Sequence, residues 1–499
     1  MLNPYIDEFM KSFPYTGLTF DDVTLVTQYA DFLPADTDLS TRLTRNITMN
    51  IPFISAAMDT VTEADMAIAM AFMGGIGIVH KNLTPYDQRT QVKRVKYYLN
   101  GFLKKARTMQ AHHTVQDLNN LKEEKKFKFS SFPILDDQRR LQGIITNREL
   151  KYCEDSSARL ADIMLKNPIF APVGTTIEQA YEIMKKRKIS ILPILEEDGV
   201  FAGMYCYRDV RDILKSTHPH YNLDEEHQLR CGAAVGPGDF ERIECIMESL
   251  CDLFVVDTAH GQTKGVIDMT KWIKKHYPQV DVIAGNIANP DAVPDLIKAG
   301  ADGIKVGVGP GSICTTRVVT GVGVPQVTAI YECNRATKEE VPIIADGGIR
   351  YTGDVPKALA AGASSVMMGG ALAGTKQSPG EEILYKGRRY VAYRGMGSLE
   401  AMKEGVGSRQ RYAQSDVPTE KLIPEGIEGM VPFAGDVGEV MQQFIGGLRN
   451  SLGYNGCQSV EVLRKKAKFK RITPAAYKEG HPHDITITKD APNYKIEQV

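Results

Sequence analysis

Eight short runs rich in Val and Ile recur along the chain, at 51–57, 74–80, 229–236, 253–261, 280–287, 301–309, 341–348 and 364–370, most of them closing on glycine or a polar residue. Segments with helical spacing lie between them, among them 240–250, 266–276, 291–299 and 353–361. The runs are apolar throughout instead of alternating, which is the pattern of parallel strands covered on both faces. Eight such strand–helix units are what an α/β chain needs to close a (β/α)8 TIM barrel. A doubly wound open sheet also alternates, but usually has fewer strands and a G-x-G-x-x-G turn after the first one. Here the first run leads into SAAMDTVTEA (55–64), which has no such turn. The barrel is the expected fold.

One gap does not fit a single unit. Residues 81–228 are far too many for one strand–helix connection, and they hold an internal repeat. FPILDDQRRLQGIITNREL (132–150) and LPILEEDGVFAGMYCYRDV (192–210) align without gaps at a period of 60, matching Pro133 with Pro193, Gly143 with Gly203 and Arg148 with Arg208. Helical stretches at 115–123 and 177–185 precede the two copies. The arrangement predicts an α+β module of pseudo-twofold symmetry inserted into a barrel loop, where insertions are tolerated. It resembles a tandem CBS (Bateman) pair over about 103–217, leaving 1–102 and 218–499 for the barrel. In that family an Arg-Asp after the second strand helps hold a nucleotide's ribose and phosphates. The second copy has Arg208-Asp209 and the first Arg148-Glu149. The resemblance implies a purine nucleotide effector, although such pairs also serve purely as packing or dimerisation modules. The mixed-charge run KEEKKFK (122–128) reads as a solvated helix end.

Charge and cysteine usage narrow the function. Lys and Arg number 60 against 61 Asp and Glu, a net charge of −1, which argues against non-specific nucleic-acid binding. The eight cysteines, at 153, 206, 231, 245, 251, 314, 333 and 457, form no C-x-x-C pair. Neither a disulfide framework nor a zinc knuckle follows, and a reducing compartment does. The opening MLNPYIDEFM has no basic segment of a signal peptide, and the apolar stretch 67–79 is glycine-broken and too short to cross a bilayer. The expectation is a soluble, cytoplasmic protein with no nucleic-acid or membrane partner.

The chemistry concentrates in four strings. In IKVGVGPGSICTTR (304–317) a strand ends at Gly307, and a loop with glycines at 307, 309 and 311 delivers Cys314 among the hydroxyls of Ser312, Thr315 and Thr316. Barrel mouths gather catalytic groups, and alternate glycines let backbone groups turn toward an ion or phosphate. An arbitrary cysteine is more often an inert core residue, and the other seven keep that reading. In IIADGGIR (343–350) Asp346 ends a strand before two glycines, an arrangement suited to a ribose diol beside a phosphate. VMMGGALAG (366–374) places Gly369-Gly370 in the eighth unit, where these barrels commonly bind phosphate. YRGMGSLEAM (393–402) opens a polar, glycine- and proline-rich excursion, about 398–432, that reads as a mobile lid. Arg411-Tyr412 within it reads equally as a surface pair. His481 and His483 in EGHPHDITIT (479–488) have a spacing that can ligate a metal, but no further ligand completes a transition-metal site.

GVGPGSICTTR, IIADGGI, MMGGALAG, YRGMGS, the downstream Arg-Tyr and EGIEG, with LTFDDV (18–23) and SAAMDTVTEADMAIAMA (55–71), resemble the inosine-5′-monophosphate (IMP) dehydrogenase family in its bacterial pattern over nearly the whole chain. That family is a barrel, usually a homotetramer and in some members an octamer, that oxidises IMP to XMP with NAD⁺ on the way to guanine nucleotides. The resemblance makes Cys314 the nucleophile at C2 of the base, leaving a thioimidate that water cleaves. It brings Arg411 and Tyr412 in on the lid, with either Arg411 or a relay through Thr316 activating the water. It implies IMP contacts at Ser55, Met58, Ser312, Asp346, Gly348, Gly369, Gly370, Tyr393, Gly395, Met396, Gly397 and Glu425. Asp257, Ala259 and Gly307 match positions on the NAD side. A potassium ion (K⁺) would sit on the backbone carbonyls of Gly309, Gly311 and Cys314, joined by Glu479, Gly480 and His481 of a neighbouring subunit.

Two other readings compete. GMP reductase shares the barrel and cysteine loop but uses NADPH and needs no hydrolytic lid. A catalytically inactive, nucleotide-sensing CBS protein would keep the repeat and lose the chemistry.

Overall fold

The computed structural model describes residues 3–98, 102–103, 106–125, 131–215, 220–488 and 491–494. All eight apolar runs contain a strand of one closed parallel barrel: β1 (Phe53–Ser55), β2 (Ile76–Val79), β3 (Cys231–Val235), β4 (Leu253–Asp257), β5 (Asp281–Ile287), β6 (Gly303–Val306), β7 (Ile343–Asp346) and β8 (Ser365–Met368). The barrel closes where β8 pairs with β1 in parallel, Val366 opposite Phe53 and Met368 opposite Ser55. Helices follow where the spacing predicted them, at Phe240–Met247, Lys264–His276, Ala292–Lys298 and Asp354–Ala360. An added helix, Val437–Tyr454, buries Val437, Met441, Phe444, Leu448 and Leu452.

The barrel interior is filled by Ile54, Ile76, Ile78, Ala234, Leu253, Val255, Ile283, Ile344 and Met367. Its N-terminal floor is closed by a hairpin, Thr41–Arg42 with Thr48–Met49, whose Leu43, Ile47 and Met49 join that core. The Thr44 hydroxyl donates to Asp281, and Asn46 donates to the other oxygen of the same carboxylate at 2.7 Å. Strand polarity directs all eight C-terminal ends to the opposite mouth, so residues that follow the strands meet there.

The chain divides into two compact units, one of residues 1–96, 220–222 and 229–499 and one of 97–219 and 223–228. In the second, each copy of the repeat forms helix, strand, strand, helix: Val115–Lys125, Phe132–Leu135, Leu141–Ile145 and Asn147–Lys151, then Ile177–Arg187, Ile191–Leu195, Phe201–Cys206 and Tyr207–Lys215. Both strand pairs are antiparallel, with Pro133 opposite Ile144 and Pro193 opposite Met204. The copies differ at the Arg-Asp position. Glu149 closes a capping box, accepting from the Thr146 backbone N–H at 2.8 Å, whereas Asp209 is buried beside an exposed Arg208. Positions 126–128 of the KEEKKFK run and the 217/218 boundary lie outside the described residues.

Candidate active site

The mouth of the barrel holds a cavity of about 520 Å³. The loop after β6 enters it through Gly307, whose φ of +150° a side chain would not tolerate, while a Cβ there would also meet the Asp346 backbone. At the tip of the loop Cys314 is half-buried, and its Sγ donates to Thr316 Oγ1 at 3.1 Å. Burial pushes the thiols of Cys206, Cys251 and Cys333 up to about 12, and raises that of Cys231 well above its ordinary value. None of these four lines the cavity; Cys314 does. The segment 425–427 fixes the Cys314 loop from the far side. Thr315 N–H donates to Glu425 O, Ile427 N–H to Ile313 O and Gly395 N–H to Ile427 O, each at 3.0 Å.

In the same cavity, Gly369 and Gly370 form a cradle where an added side chain would be crowded. A Cβ on Gly369 would stand 3.0 Å from the Tyr393 hydroxyl and 3.1 Å from Met58 Sδ, and one on Gly370 3.2 Å from Ser312 Oγ. Burial raises the Tyr393 phenol to about 12, so it remains a neutral donor across the physiological range. Asp346 ends β7 at the cavity, and its carboxylate meets Lys305 Nζ at 2.5 Å and Asn286 Nδ2 at 2.9 Å. Lys305, only 2% exposed, also pairs with Asp257 Oδ1 at 2.9 Å. One ammonium therefore compensates two carboxylates at the ends of β4 and β7, which is how a buried charge is retained.

The excursion after residue 398 is packed onto this mouth and forms helices Leu399–Glu404 and Val406–Arg411, then strand Glu428–Pro432. Arg411 pairs with Asp257 Oδ2, and its carbonyl accepts from the Ala259 N–H at 2.9 Å. Tyr412 reaches the cavity and covers Gly397, where a Cβ would lie 2.5 Å from its ring. Burial raises the Tyr412 phenol, with Cys314 and Glu425 pushing the same way and Arg411 opposing.

The structure thus brings Met58, Asp257, Ala259, Gly307, Gly309, Gly311, Ser312, Cys314, Thr316, Asp346, Gly348, Gly369, Gly370, Tyr393, Gly395, Met396, Arg411, Tyr412 and Glu425 around one cavity. Ser55 is the exception on β1. Its Oγ lies 3.2 Å from the Cβ position of Gly77, a point also 2.5 Å from Ala67, so it faces the helix layer while Ala56 and Ala57 line the cavity. Strand alternation explains the offset. Gly397, under the Tyr412 ring, does not line the cavity; Glu479, Gly480 and His481, expected to serve a neighbouring subunit, lie apart from this chain's own cavity, and His481 packs against Tyr351, Tyr477 and Tyr494. Among the described residues no cluster of three His, Cys, Asp or Glu is placed to hold a metal, and no helix is long and apolar enough to cross a membrane. Sequence reasoning missed Lys305, Asn286, Lys81 and Gln410. A lone lysine inside the apolar run IKVGVG was the available signal for the first.

A (β/α)8 barrel whose mouth brings a cysteine on a glycine loop, a paired-glycine cradle and a strand-end carboxylate to one cavity is the architecture of a barrel enzyme with its site at the C-terminal ends of the strands. Comparison with known proteins makes this specific. The model of the IMP dehydrogenase / GMP reductase domain matches residues 17–483, and the chain belongs to that family. It is 50% identical to an inosine-5′-monophosphate dehydrogenase of Aquifex aeolicus, over 96% of this chain and 98% of that one. It is 46% identical to one of Bacillus subtilis, over 97% and 99%. A solved cysteine-to-alanine variant of GMP reductase from Trypanosoma brucei, in complex with guanosine 5′-monophosphate, matches at 34% identity with a TM-score of 0.83, covering 96% of this chain and all of that one.

Proposed function

We propose that the chain oxidises IMP to XMP with NAD⁺, in guanine nucleotide synthesis, through a covalent bond between Cys314 and the purine. The observation that carries this reading is the convergence of Cys314, the Gly369-Gly370 cradle, Asp346 and the lid residue Arg411 on one cavity. The phosphate lies in the cradle with Ser312, Gly348 and Tyr393, and the ribose diol on Asp346. The base stacks over Cys314 between Met58, Gly395, Met396 and Glu425. Sulfur attacks C2 as the thiol proton passes through the Thr316 hydroxyl, which already accepts from it, to solvent. The dinucleotide supplies the hydride acceptor, with Asp257, Ala259 and Gly307 on its side of the cavity. Water then adds at C2 and breaks the C–S bond, releasing XMP; the proton it gives up re-forms the thiol, relayed either through Thr316 or through Arg411, which in that role acts as the neutral guanidine released from Asp257.

Arg411 occupies Asp257 and the Ala259 amide, the same groups read as holding the dinucleotide. Lid and dinucleotide therefore take turns at one place, which separates hydride transfer from hydrolysis in time. Backbone carbonyls of Gly309, Gly311 and Cys314 are the oxygen ligands a hard cation prefers, and we assign them K⁺, with Glu479, Gly480 and His481 of a neighbouring copy in a homotetramer. The repeat unit, read as a CBS pair spanning about 103–217, takes a purine nucleotide at Arg208-Asp209. The identity to IMP dehydrogenases exceeds that to the GMP reductase, and the docked Arg411 has no use in reductive deamination. IMP with NAD⁺ should generate NADH absorbance, and GMP with NADPH should show no NADPH loss; the opposite pattern overturns the assignment.

A further inference from the structure

We propose that Lys81, on the loop after β2, is a positioning residue that latches the lid shut by tying lid residue Gln410 to the end of β4, and so sets Arg411 against Asp257. The inference rests on the reading above, in which the closed lid serves hydrolysis. Lys81 is 2% exposed, and its Nζ donates to the Asp257 carbonyl at 3.1 Å and to Gln410 Oε1 at 3.0 Å. The Gln410 amide nitrogen continues to Pro237 O and Asp239 Oδ1, both at 3.0 Å. One lid side chain is thereby bonded to the loop after β2 and the loop after β3, and through Lys81 to β4.

Glycines let the lid and barrel loops close around this contact. A Cβ on Gly236 would stand 2.5 Å from Lys81 Nζ, and one on Gly407 of the lid helix would lie 2.8 Å from the Lys81 carbonyl carbon. Burial pushes the Lys81 ammonium down to about 7, with Asp239 opposing and Arg411, Arg242 and Lys305 assisting. A buried amine this costly is kept where its donors are used, and both neutral and charged forms donate to the two oxygens. Lys81 does not line the cavity and has no part in attack by Cys314 or in hydride removal. Its loss should unfasten the residue next to Arg411 and leave the first half of the reaction intact.

Pre-steady-state kinetics on the full chain test this. Lys81→Met should retain the NADH burst in rate and amplitude while steady-state turnover falls about tenfold, the worth of one charge-assisted hydrogen bond. NAD⁺, freed of lid competition, should bind tighter by a similar factor. Gln410→Met should reproduce both effects from the lid side and decide the matter should Lys81→Met not fold, and the double variant should lose no more than either alone. A burst and turnover that fall together, or turnover that does not change, would overturn the latch. A wild-type enzyme that forms no NADH would instead overturn the functional reading on which it rests.

Discussion

The two ends of the barrel are made by the same eight strands and obey different rules. At the floor, Leu43, Ile47 and Met49 seal the interior with hydrocarbon, and the Asp281 carboxylate is satisfied by Thr44 and Asn46. At the mouth, glycines replace side chains, and Lys305, Asp257, Asp346 and Arg411 hold one another in a charge network beside a half-buried thiol. The floor carries stability without accessible chemistry. The mouth keeps open space and charge close together, which costs stability and supplies chemistry. Substitutions at the two ends should therefore fail in different assays.

The widest separation is expected at the thiol. Cys314→Ala should cut turnover by on the order of 10⁴-fold or more, as for loss of other enzymatic nucleophiles, with an unchanged melting temperature. Retained activity would erase the distinction between the ends. Next, Arg411→Ala should slow hydrolysis by about 10²–10³-fold and leave an NADH burst with accumulated adduct, read by stopped flow and quenched-flow trapping. Equal slowing of both halves would count against its role. A smaller effect is expected in the cradle. Gly369→Ala places a methyl against Tyr393 and Met58 and should raise the KM for IMP about tenfold with little change in kcat. At the floor, Leu43→Ala should remove about 2–5 kcal/mol of stability in denaturant titrations and leave kcat/KM for IMP within about twofold. A floor variant that damaged kcat would show the two ends to be coupled.

The eight strands were legible because parallel strands buried on both faces read as unbroken apolar runs, and the barrel follows from their number. The Cys314 loop was legible because glycines and hydroxyls around a cysteine depart from core composition. The network beneath it was not. Lys305 and Lys81 are two among 60 basic residues, and only the closure of the barrel shows that each is buried against a partner. Ser55, implied as a ligand contact by the resemblance, instead faces the helices, because one residue of register decides which way a strand end points. The lid's composition predicted an excursion without indicating its helices. Leu399–Glu404 and Val406–Arg411 are short segments held by contacts with the barrel, such as Asn82 Oδ1 accepting from Ser408 N–H at 3.2 Å.

The most direct test is mass spectrometry of the enzyme incubated with IMP and NAD⁺ and quenched in acid during turnover. A nucleotide mass on the peptide containing Cys314, absent without NAD⁺ and absent from Cys314→Ala, is the expected result. An active enzyme whose Cys314 peptide stays unmodified under conditions that trap every other step would contradict the account.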